Sequence, residues 1–265
     1  MSILNRTRPL PFLVTTELPC PYLTARMERK VVTELSGPAA ADTYETLSRA
    51  GFRRSHGIAY RPACRGCQAC VPVRVVAGEY DPGRTLRRIE RRNEDLRSAV
   101  RPARATQEQY RLFSRYLEHR HSDGEMLGMN LQEYGAMIET SPLDTRIVEL
   151  RAPSGTLMAC CLTDWTKDGV SAVYSFFDPD LPARSLGSYV VVWLIREAQR
   201  WGLPYVYLGY WVEGSTRMAY KTSFRPLERL GREGWRRMDE VDAEPAKKSI
   251  ILPARRSRSR LLVEA

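Results

Sequence analysis

The chain carries three cysteines at two-residue gaps in one short segment: Cys64, Cys67 and Cys70. Such gaps let neighbouring thiolates converge on one metal centre. Cys20 lies upstream and supplies a fourth ligand if the fold brings it close. The alternative is a set of reduced or disulfide-paired cysteines that only pack. The spacing favours metal binding, and we predict an iron–sulfur cluster or a zinc ion on these four residues.

The net charge of the chain indicates the kind of partner to expect, and the length of its apolar stretches indicates whether it enters a membrane. Its 265 residues carry a formal net charge of +10, which favours an anionic partner, most commonly nucleic acid. The longest apolar stretch, residues 189–195, is far short of the roughly 20 residues that span a bilayer. The amino terminus lacks the apolar run of a signal peptide. We therefore expect a cytoplasmic protein that does not enter a membrane.

Arginines are concentrated between residues 84 and 104, where there are eight. Leu86, Ile89, Leu96 and Val100 recur there at helical spacing, which predicts one amphipathic helix with an arginine-rich face. A guanidinium matches phosphate geometry. A solvated face with internal Glu–Arg pairs is the alternative. The residues we expect to contact phosphate are Arg84, Arg87, Arg88, Arg91 and Arg92.

The order of predicted elements divides the chain into two units and a tail. Residues 1–104 form an amino-terminal unit with the cysteine motif, in which we predict a helix over 39–50 and a strand over 71–76. Residues 105–238 form the second unit, and 239–265 form a loose basic tail. The second unit is predicted to contain, in order, a helix over 107–119, strands over 146–150, 157–164 and 170–177, a helix over 187–201 and a strand over 205–210.

The second unit resembles the acetyltransferase fold, in which a helix begins at a glycine-containing loop between strands. We therefore predict an α+β protein: an acetyltransferase-like (GNAT-type) mixed sheet flanked by helices, with an amino-terminal cysteine-containing α/β module. Residues 184–189 resemble the loop that lays backbone N–H groups against a pyrophosphate. Tyr189 replaces the small residue that ends this loop, which favours an acyl donor other than coenzyme A.

Several sequence blocks together resemble the arginyl-tRNA–protein transferase family. FRRS at 52–55, YRP at 60–62, the cysteine motif at 64–70 and VRV at 73–75 are similar to its amino-terminal half. VYSFFDP at 173–179, SLGSY at 185–189, YLGYW at 207–211 and MAYKTSFRP at 218–226 are similar to its carboxy-terminal half. His56 stands where relatives usually have glycine. The blocks keep the family order over about residues 18–230.

The resemblance implies transfer of an aminoacyl group from tRNA to the amino-terminal Asp or Glu of an acceptor protein, which marks the acceptor for degradation. Leucine is the expected donor because the compact length is most similar to the bacterial branch of the family that transfers leucine, and arginine is the alternative. The transfer itself needs no cofactor. The competing functions are a non-catalytic, metal-stabilised nucleic-acid-binding protein and a coenzyme A-dependent acetyltransferase.

The reaction requires an uncharged α-amine to attack an ester carbonyl, and α-amino groups have pKa values near 7.7–8.0. Positioning and oxyanion stabilisation can then supply most of the rate. Asp178, which follows a predicted strand, is the candidate for holding or deprotonating the amine, although an Asp before Pro also commonly starts a turn. With the resemblance, Tyr174 and Tyr210 are catalytic candidates, and Tyr207 and Gly187 are substrate-binding candidates.

Recognition of an acidic first residue calls for a fixed cation. Arg54, Arg74 and Lys221 are the candidates, and a surface salt bridge is the alternative for each. The arginine-rich segment is then the expected tRNA-binding surface.

Overall fold

The computed structural model describes residues 10–120 and 126–239. Residues 240–265 of the predicted basic tail lie outside these ranges. In the first range the elements are β1 (Leu13–Val14), β2 (Leu18–Pro19), β3 (Met27–Glu28), β4 (Lys30–Glu34), α1 (Ala40–Arg49), β5 (Arg53–Ser55), β6 (Ile58–Pro62), β7 (Cys70–Val76), α2 (Arg84–Arg92), β8 (Arg97–Pro102) and α3 (Gln107–Arg120).

The second range contains the remaining helices and most of the large sheet. Its elements are α4 (Leu131–Glu139), β9 (Asp144–Arg151), β10 (Leu157–Thr166), β11 (Gly169–Phe177), α5 (Leu186–Arg200), β12 (Tyr205–Val212), β13 (Leu227–Gly231) and β14 (Gly234–Arg237). The predicted helices over 107–119 and 187–201 and all four strands predicted in the second unit are confirmed.

An eight-stranded mixed sheet organises the described residues, in the order β14-β13-β7-β12-β11-β10-β9-β8. β11 and β12 are parallel, and the neighbouring pairs β10–β11 and β12–β7 are antiparallel. A parallel pair needs a crossover, and α5 supplies it. This arrangement confirms the predicted fold class, a mixed sheet flanked by helices.

The core of the sheet forms against α5, which is apolar on most sides as its sequence predicts. Val190, Leu194 and Ile195 are buried there with Val206 of β12. Tyr189 is also buried in this cluster, with 8% of its surface exposed, so its ring packs inward. The ring expected to obstruct a pyrophosphate is therefore largely buried, and an acyl donor other than coenzyme A stays a prediction.

The single helix predicted over the arginine-rich segment is wrong. α2 ends at Arg92, and Arg97–Pro102 forms the edge strand β8 against β9. The helix ends because the fully buried Asn93 side chain donates its amide hydrogens to the carbonyl oxygens of Ile89 and Arg184. The residue after α2 is thus fixed to the loop before α5.

The sheet crosses the predicted division at residue 104. β7 lies between β12 and β13, and β8 forms the opposite edge, so both strands from the first predicted unit complete the sheet of the second. A separate four-stranded sheet, β1-β4-β6-β5, forms from residues 13–62. The division into folding units stays a prediction, whereas the large sheet is shared between its two parts.

Two arginines of β5 join the small sheet to the large one. Arg53 donates to the Ser171 hydroxyl at 2.7 Å. Arg54 donates from Nε and Nη2 to the two oxygens of Asp164, at 2.7 and 2.9 Å. The next turn places His56 at φ 51°, in the left-handed region that favours glycine.

No helix among residues 10–120 and 126–239 is long and apolar enough to cross a membrane.

Candidate active site

A cavity of about 740 Å³ opens where β11 ends and α5 begins. The end of α3 and the segment after β12 complete its walls. α3 contributes Tyr116, His119 and Arg120. The end of β11, the start of α5 and the later segment contribute Ser175, Phe177, Asp178, Pro179, Ser185, Leu186, Gly187, Ser188, Thr216, Arg217 and Tyr220.

In the cavity lining, the Phe177 ring packs closely against the first turn of α5. A Cβ atom at Gly187 would lie 2.7 Å from Cε1 of the Phe177 ring, which is too short for a real contact. Ser185, the residue before α5, has φ 52°, a conformation that costs a non-glycine residue free energy and is concentrated at functional sites. The predicted binding residue Gly187 thus lines the cavity, and its lack of a side chain lets the Phe177 ring pack against α5.

Asp178 lies at the rim of this cavity, immediately after β11. Its backbone N–H donates to the Met158 carbonyl. Its Oδ1 accepts from the Asp180 backbone N–H at 3.0 Å and from Arg115 at 3.2 Å. No described residue donates a hydrogen bond to Oδ2. The carboxylate is therefore held on one oxygen, and the other can accept a proton or a hydrogen bond from a substrate.

Charge and apolarity are unevenly distributed in this lining. Asp178 is the single carboxylate among the described residues that line the cavity. The Tyr116 and Phe177 rings meet edge to face, with centroids 4.9 Å apart. Leu181 and Leu186 add aliphatic surface. Arg120 and Arg217 also line the cavity, so with one carboxylate against two guanidinium groups it suits an uncharged side chain better than a cation.

The two tyrosines predicted to be catalytic lie outside this lining. The Tyr174 ring packs against Phe113, with centroids 6.1 Å apart, and burial raises its pKa above the ordinary value. The Tyr210 hydroxyl donates to the carbonyl oxygens of Gly51 and Tyr60 at 2.9 and 3.2 Å. Their catalytic roles stay predictions, and Tyr210 holds the small sheet against β12.

Arg54 and Arg74 each have a carboxylate partner inside the protein. The Arg54 and Asp164 side chains are 1% and 0% exposed. Arg74 donates to Glu228 at 2.8 Å, and its guanidinium lies 3.5 Å from the ring centroid of Tyr205. Neither cation is placed in the cavity, so their predicted part in substrate binding stays a prediction that the geometry does not favour.

Tyr207, the next predicted binding residue, belongs to the network around Arg74. Its hydroxyl accepts from Arg74 at 3.3 Å and donates to Asp168 at 3.1 Å. The ring also meets Trp235 edge to face, with centroids 6.0 Å apart. These contacts link β12 to β7 and β14 and lie away from the cavity lining.

Lys221 is buried behind the cavity wall. Its Nζ donates to the Tyr210 carbonyl at 2.6 Å, and 6% of the residue is exposed. Burial, followed by the nearby charge of Arg53, lowers the pKa of Lys221 to about 7. A lysine that is half neutral near pH 7 and faces a backbone carbonyl is a weak anchor for a substrate carboxylate.

We expect the buried Lys221 to make stability depend on pH. The unfolded chain keeps its lysine protonated up to about pH 10.4, whereas the folded protein releases this proton above about pH 7. The unfolded state therefore binds more protons between these values, and stability rises with pH there. Relative to Lys221→Met, the wild-type free energy of unfolding should increase by about 1.4 kcal/mol per pH unit above pH 7.

Urea unfolding from pH 6 to 8.5 measures this dependence. Lys167→Met is the matched control, because the side chain of Lys167 is 77% exposed, and it should leave the pH profile unchanged. Parallel profiles for wild type and Lys221→Met would show that Lys221 does not titrate in this range.

The cysteines of the motif approach one another at the junction of the two sheets. Burial, followed by the neighbouring Cys20, Cys64 and Cys67, raises the pKa of the Cys70 thiol to about 12. The Sγ of Cys64 accepts from the Arg29 backbone N–H at 3.4 Å. Within the described ranges, no three His, Cys, Asp or Glu side chains are grouped so that they could hold a metal ion.

We derive no step of the reaction through a metal or a cluster at these thiols. The four-cysteine ligand set stays a prediction. Metal analysis and absorbance of anaerobically purified protein check it directly, and a metal-free, fully active enzyme would leave these cysteines with a packing role.

α2 lies beside the rim of the cavity. Arg184, in the loop before α5, donates to Asn93 Oδ1 at 3.0 Å and to the Arg92 carbonyl at 3.1 Å. Arg92 in turn donates to the Ala183 carbonyl. Three arginines of this helix, all exposed, form no ion pair with any described residue: Arg84, Arg88 and Arg91. Arg87 pairs with Asp81 at 3.6 Å.

Sequence reasoning missed the contribution of α3 to the site. Tyr116, His119 and Arg120 line the cavity, and Arg115 holds Asp178. The helix was predicted, but its charged residues are typical of any exposed helix face. Only the packing of α3 beside the end of β11 gives them a common cavity.

Comparison with known proteins assigns the family. The model described as arginine-tRNA-protein transferase, C terminus, matches residues 108–231, and the model for the N terminus matches residues 18–88. The chain is 57% identical over 235 residues to the aspartate/glutamate leucyltransferase of Paramagnetospirillum magneticum, covering 89% of this chain and 96% of the relative. The enzyme with the same name in Parvibaculum lavamentivorans is 55% identical over 236 residues, covering 89% and 98%. The chain belongs to the arginine-tRNA-protein transferase family, and it is an aminoacyltransferase.

Solved structures with a similar fold are distant in sequence. L-PGS from Bacillus licheniformis is 14% identical with a TM-score of 0.47, covering 66% of this chain and 63% of that one. FemX is 8% identical with a TM-score of 0.45, covering 74% and 68%.

Proposed function

We propose that this chain transfers leucine from leucyl-tRNA to the amino-terminal Asp or Glu of acceptor proteins, which marks them for degradation. The names of the relatives support this activity. The observation that carries the choice of leucine is the cavity at the start of α5, whose described lining has aromatic and aliphatic side chains and two arginines against one carboxylate. An arginyl group would require a carboxylate in the pocket. Asp178 is the one carboxylate in the described lining, and the reaction proposed below uses it for the acceptor amine.

The cavity can support the chemistry with the chain's own residues. The acceptor amine attacks the carbonyl carbon of the leucyl ester, an amide bond forms, and the ester bond to the terminal ribose of the tRNA breaks. The ribose oxygen leaves with a proton, and the amine loses one. Asp178 Oδ2 accepts the proton from the amine, and backbone N–H groups at the start of α5 stabilise the negative charge on the carbonyl oxygen.

The tRNA is then expected along α2. Its exposed arginines without an ion pair match phosphates, and the contacts between Arg184, Asn93 and Arg92 fix the end of this helix to the loop that begins α5. A tRNA held on α2 can therefore deliver its aminoacylated end to the cavity. The four-cysteine segment has no step in this mechanism.

A transfer assay with two donors tests the proposal. Purified protein is incubated with an Asp-starting peptide and either leucyl-tRNA or arginyl-tRNA, and the product is identified by mass spectrometry. We expect addition of leucine. Addition of arginine alone would contradict the choice of leucine and would mean that Asp178 binds the side chain of the donor amino acid. Acetylation from acetyl-coenzyme A without aminoacyl transfer would refute the proposal.

A further inference from the structure

The cations predicted to recognise an acidic acceptor are already occupied inside the protein. Arg54 pairs with Asp164, Arg74 with Glu228, and Lys221 faces the Tyr210 carbonyl. A cation that lines the cavity is better placed to bind the acidic side chain of the acceptor. The described cavity lining offers three basic side chains: His119, Arg120 and Arg217.

Arg120 is the best placed of these three groups. It is exposed and forms no ion pair with any described residue, whereas Arg217 already has an interaction within the protein. The guanidinium carbon of Arg120 lies 5.6 Å from the ring centroid of Phe177. An aromatic face orients an arginine and leaves its N–H groups available at the ring edge.

Arg120 and Asp178 line the same cavity, and the ring that orients Arg120 belongs to Phe177, the residue before Asp178. An amino-terminal Asp or Glu carries its positive amine and its negative carboxylate only a few covalent bonds apart. The Asp178 carboxylate and the Arg120 guanidinium carry the opposite charges, so they can pair with the amine and the carboxylate respectively. His119, in the preceding position of α3, lines the same wall and can donate a further hydrogen bond to the carboxylate.

We propose that Arg120 is the specificity-determining residue that binds the side-chain carboxylate of the acceptor's first residue, while Asp178 binds its α-amine. This inference rests on the proposed transfer reaction. An acceptor that starts with neutral Asn or Gln leaves the guanidinium without a charge partner. The cation therefore strengthens the binding of acceptors that start with Asp or Glu alone. Contact of Arg120 with a tRNA phosphate is the competing role, and the experiment separates the two.

The test compares peptides that start with Asp and with Asn, using the ratio of their kcat/KM values. Arg120→Met should reduce this ratio by about tenfold to a hundredfold, because a hydrogen bond to a charged group is lost. Arg120→Lys should keep part of the ratio, since it keeps the charge but loses the fork of donors. Arg111→Met is the matched control, because Arg111 is exposed on the same helix but does not line the cavity, and it should keep the wild-type ratio.

Two results would overturn the assignment. One is an unchanged ratio in Arg120→Met. The other is an equal loss for both peptides with weaker binding of leucyl-tRNA, which would make Arg120 a tRNA contact. Failure of the wild-type protein to transfer leucine to the Asp peptide would instead refute the proposed function, so the two failures are distinguishable.

Discussion

Asp164→Asn should lower the free energy of unfolding by about 3–5 kcal/mol. Asp164 accepts two hydrogen bonds from Arg54 and one from the Thr145 hydroxyl at 2.6 Å, and neither charged side chain has more than 1% of its surface exposed. Removing the carboxylate charge leaves the guanidinium buried without compensation. Urea unfolding measures the loss.

A double variant provides the control for this pair. Arg54→Met with Asp164→Leu removes both charges, so it should be more stable than Asp164→Asn alone. If the double variant is the less stable, the buried charge is not the cause. The pair also joins the small sheet to the large one, so Arg54→Met should lower activity on Asp- and Asn-starting peptides equally. A selective loss of the Asp peptide in a stable Arg54→Met protein would assign acid recognition to Arg54.

Asp178→Asn should reduce the rate of leucine transfer by about a hundredfold. The substitution keeps the size of the side chain and its bond to Arg115 but removes the charge that attracts the amine and accepts its proton. Single-turnover transfer from leucyl-tRNA to an Asp-starting peptide measures the rate without product release. Binding of leucyl-tRNA should stay near the wild-type value, because α2 is unchanged.

The neighbouring carboxylate gives a matched control for Asp178. Asp180 accepts from the same Arg115 at 2.5 Å, but it is 68% exposed in its side chain and does not line the cavity. Asp180→Asn should therefore transfer leucine at nearly the wild-type rate. Equal losses in both variants would mean that these carboxylates act only by positioning Arg115.

The strands and the helix of the large sheet could be predicted because the apolar pattern that defines each element lies within that element's own sequence. The apolar run of α5 and the strands on either side of it carry their own periodicity and turn residues. The arginine-rich segment was misread because Leu96 and Val100 fit a helical period as well as a short edge strand. The buried side chain of Asn93, which ends α2, has a partner 91 residues away, and no local pattern contains that information.

The candidate site could be predicted only in part, for the same reason. Asp178 and Gly187 were identified through sequence blocks around them, and both line the cavity. The carboxylate partners of Arg54 and Arg74 lie 110 and 154 residues away in the chain. No local sequence pattern therefore indicates that these arginines form ion pairs within the protein. Arg120 resembles any exposed arginine at the end of a helix until the fold places it beside Phe177.

We propose that the leucyl group reacts in the cavity at the start of α5. Photo-crosslinking tests it most directly, with a tRNA that carries a diazirine analogue of leucine and with peptide mapping of the labelled protein. Labels should lie at the end of β11, the first turn of α5 or the last turns of α3, around Phe177, Leu186 and Tyr116. Labels confined to residues 10–104, including the cysteine motif, would contradict this placement.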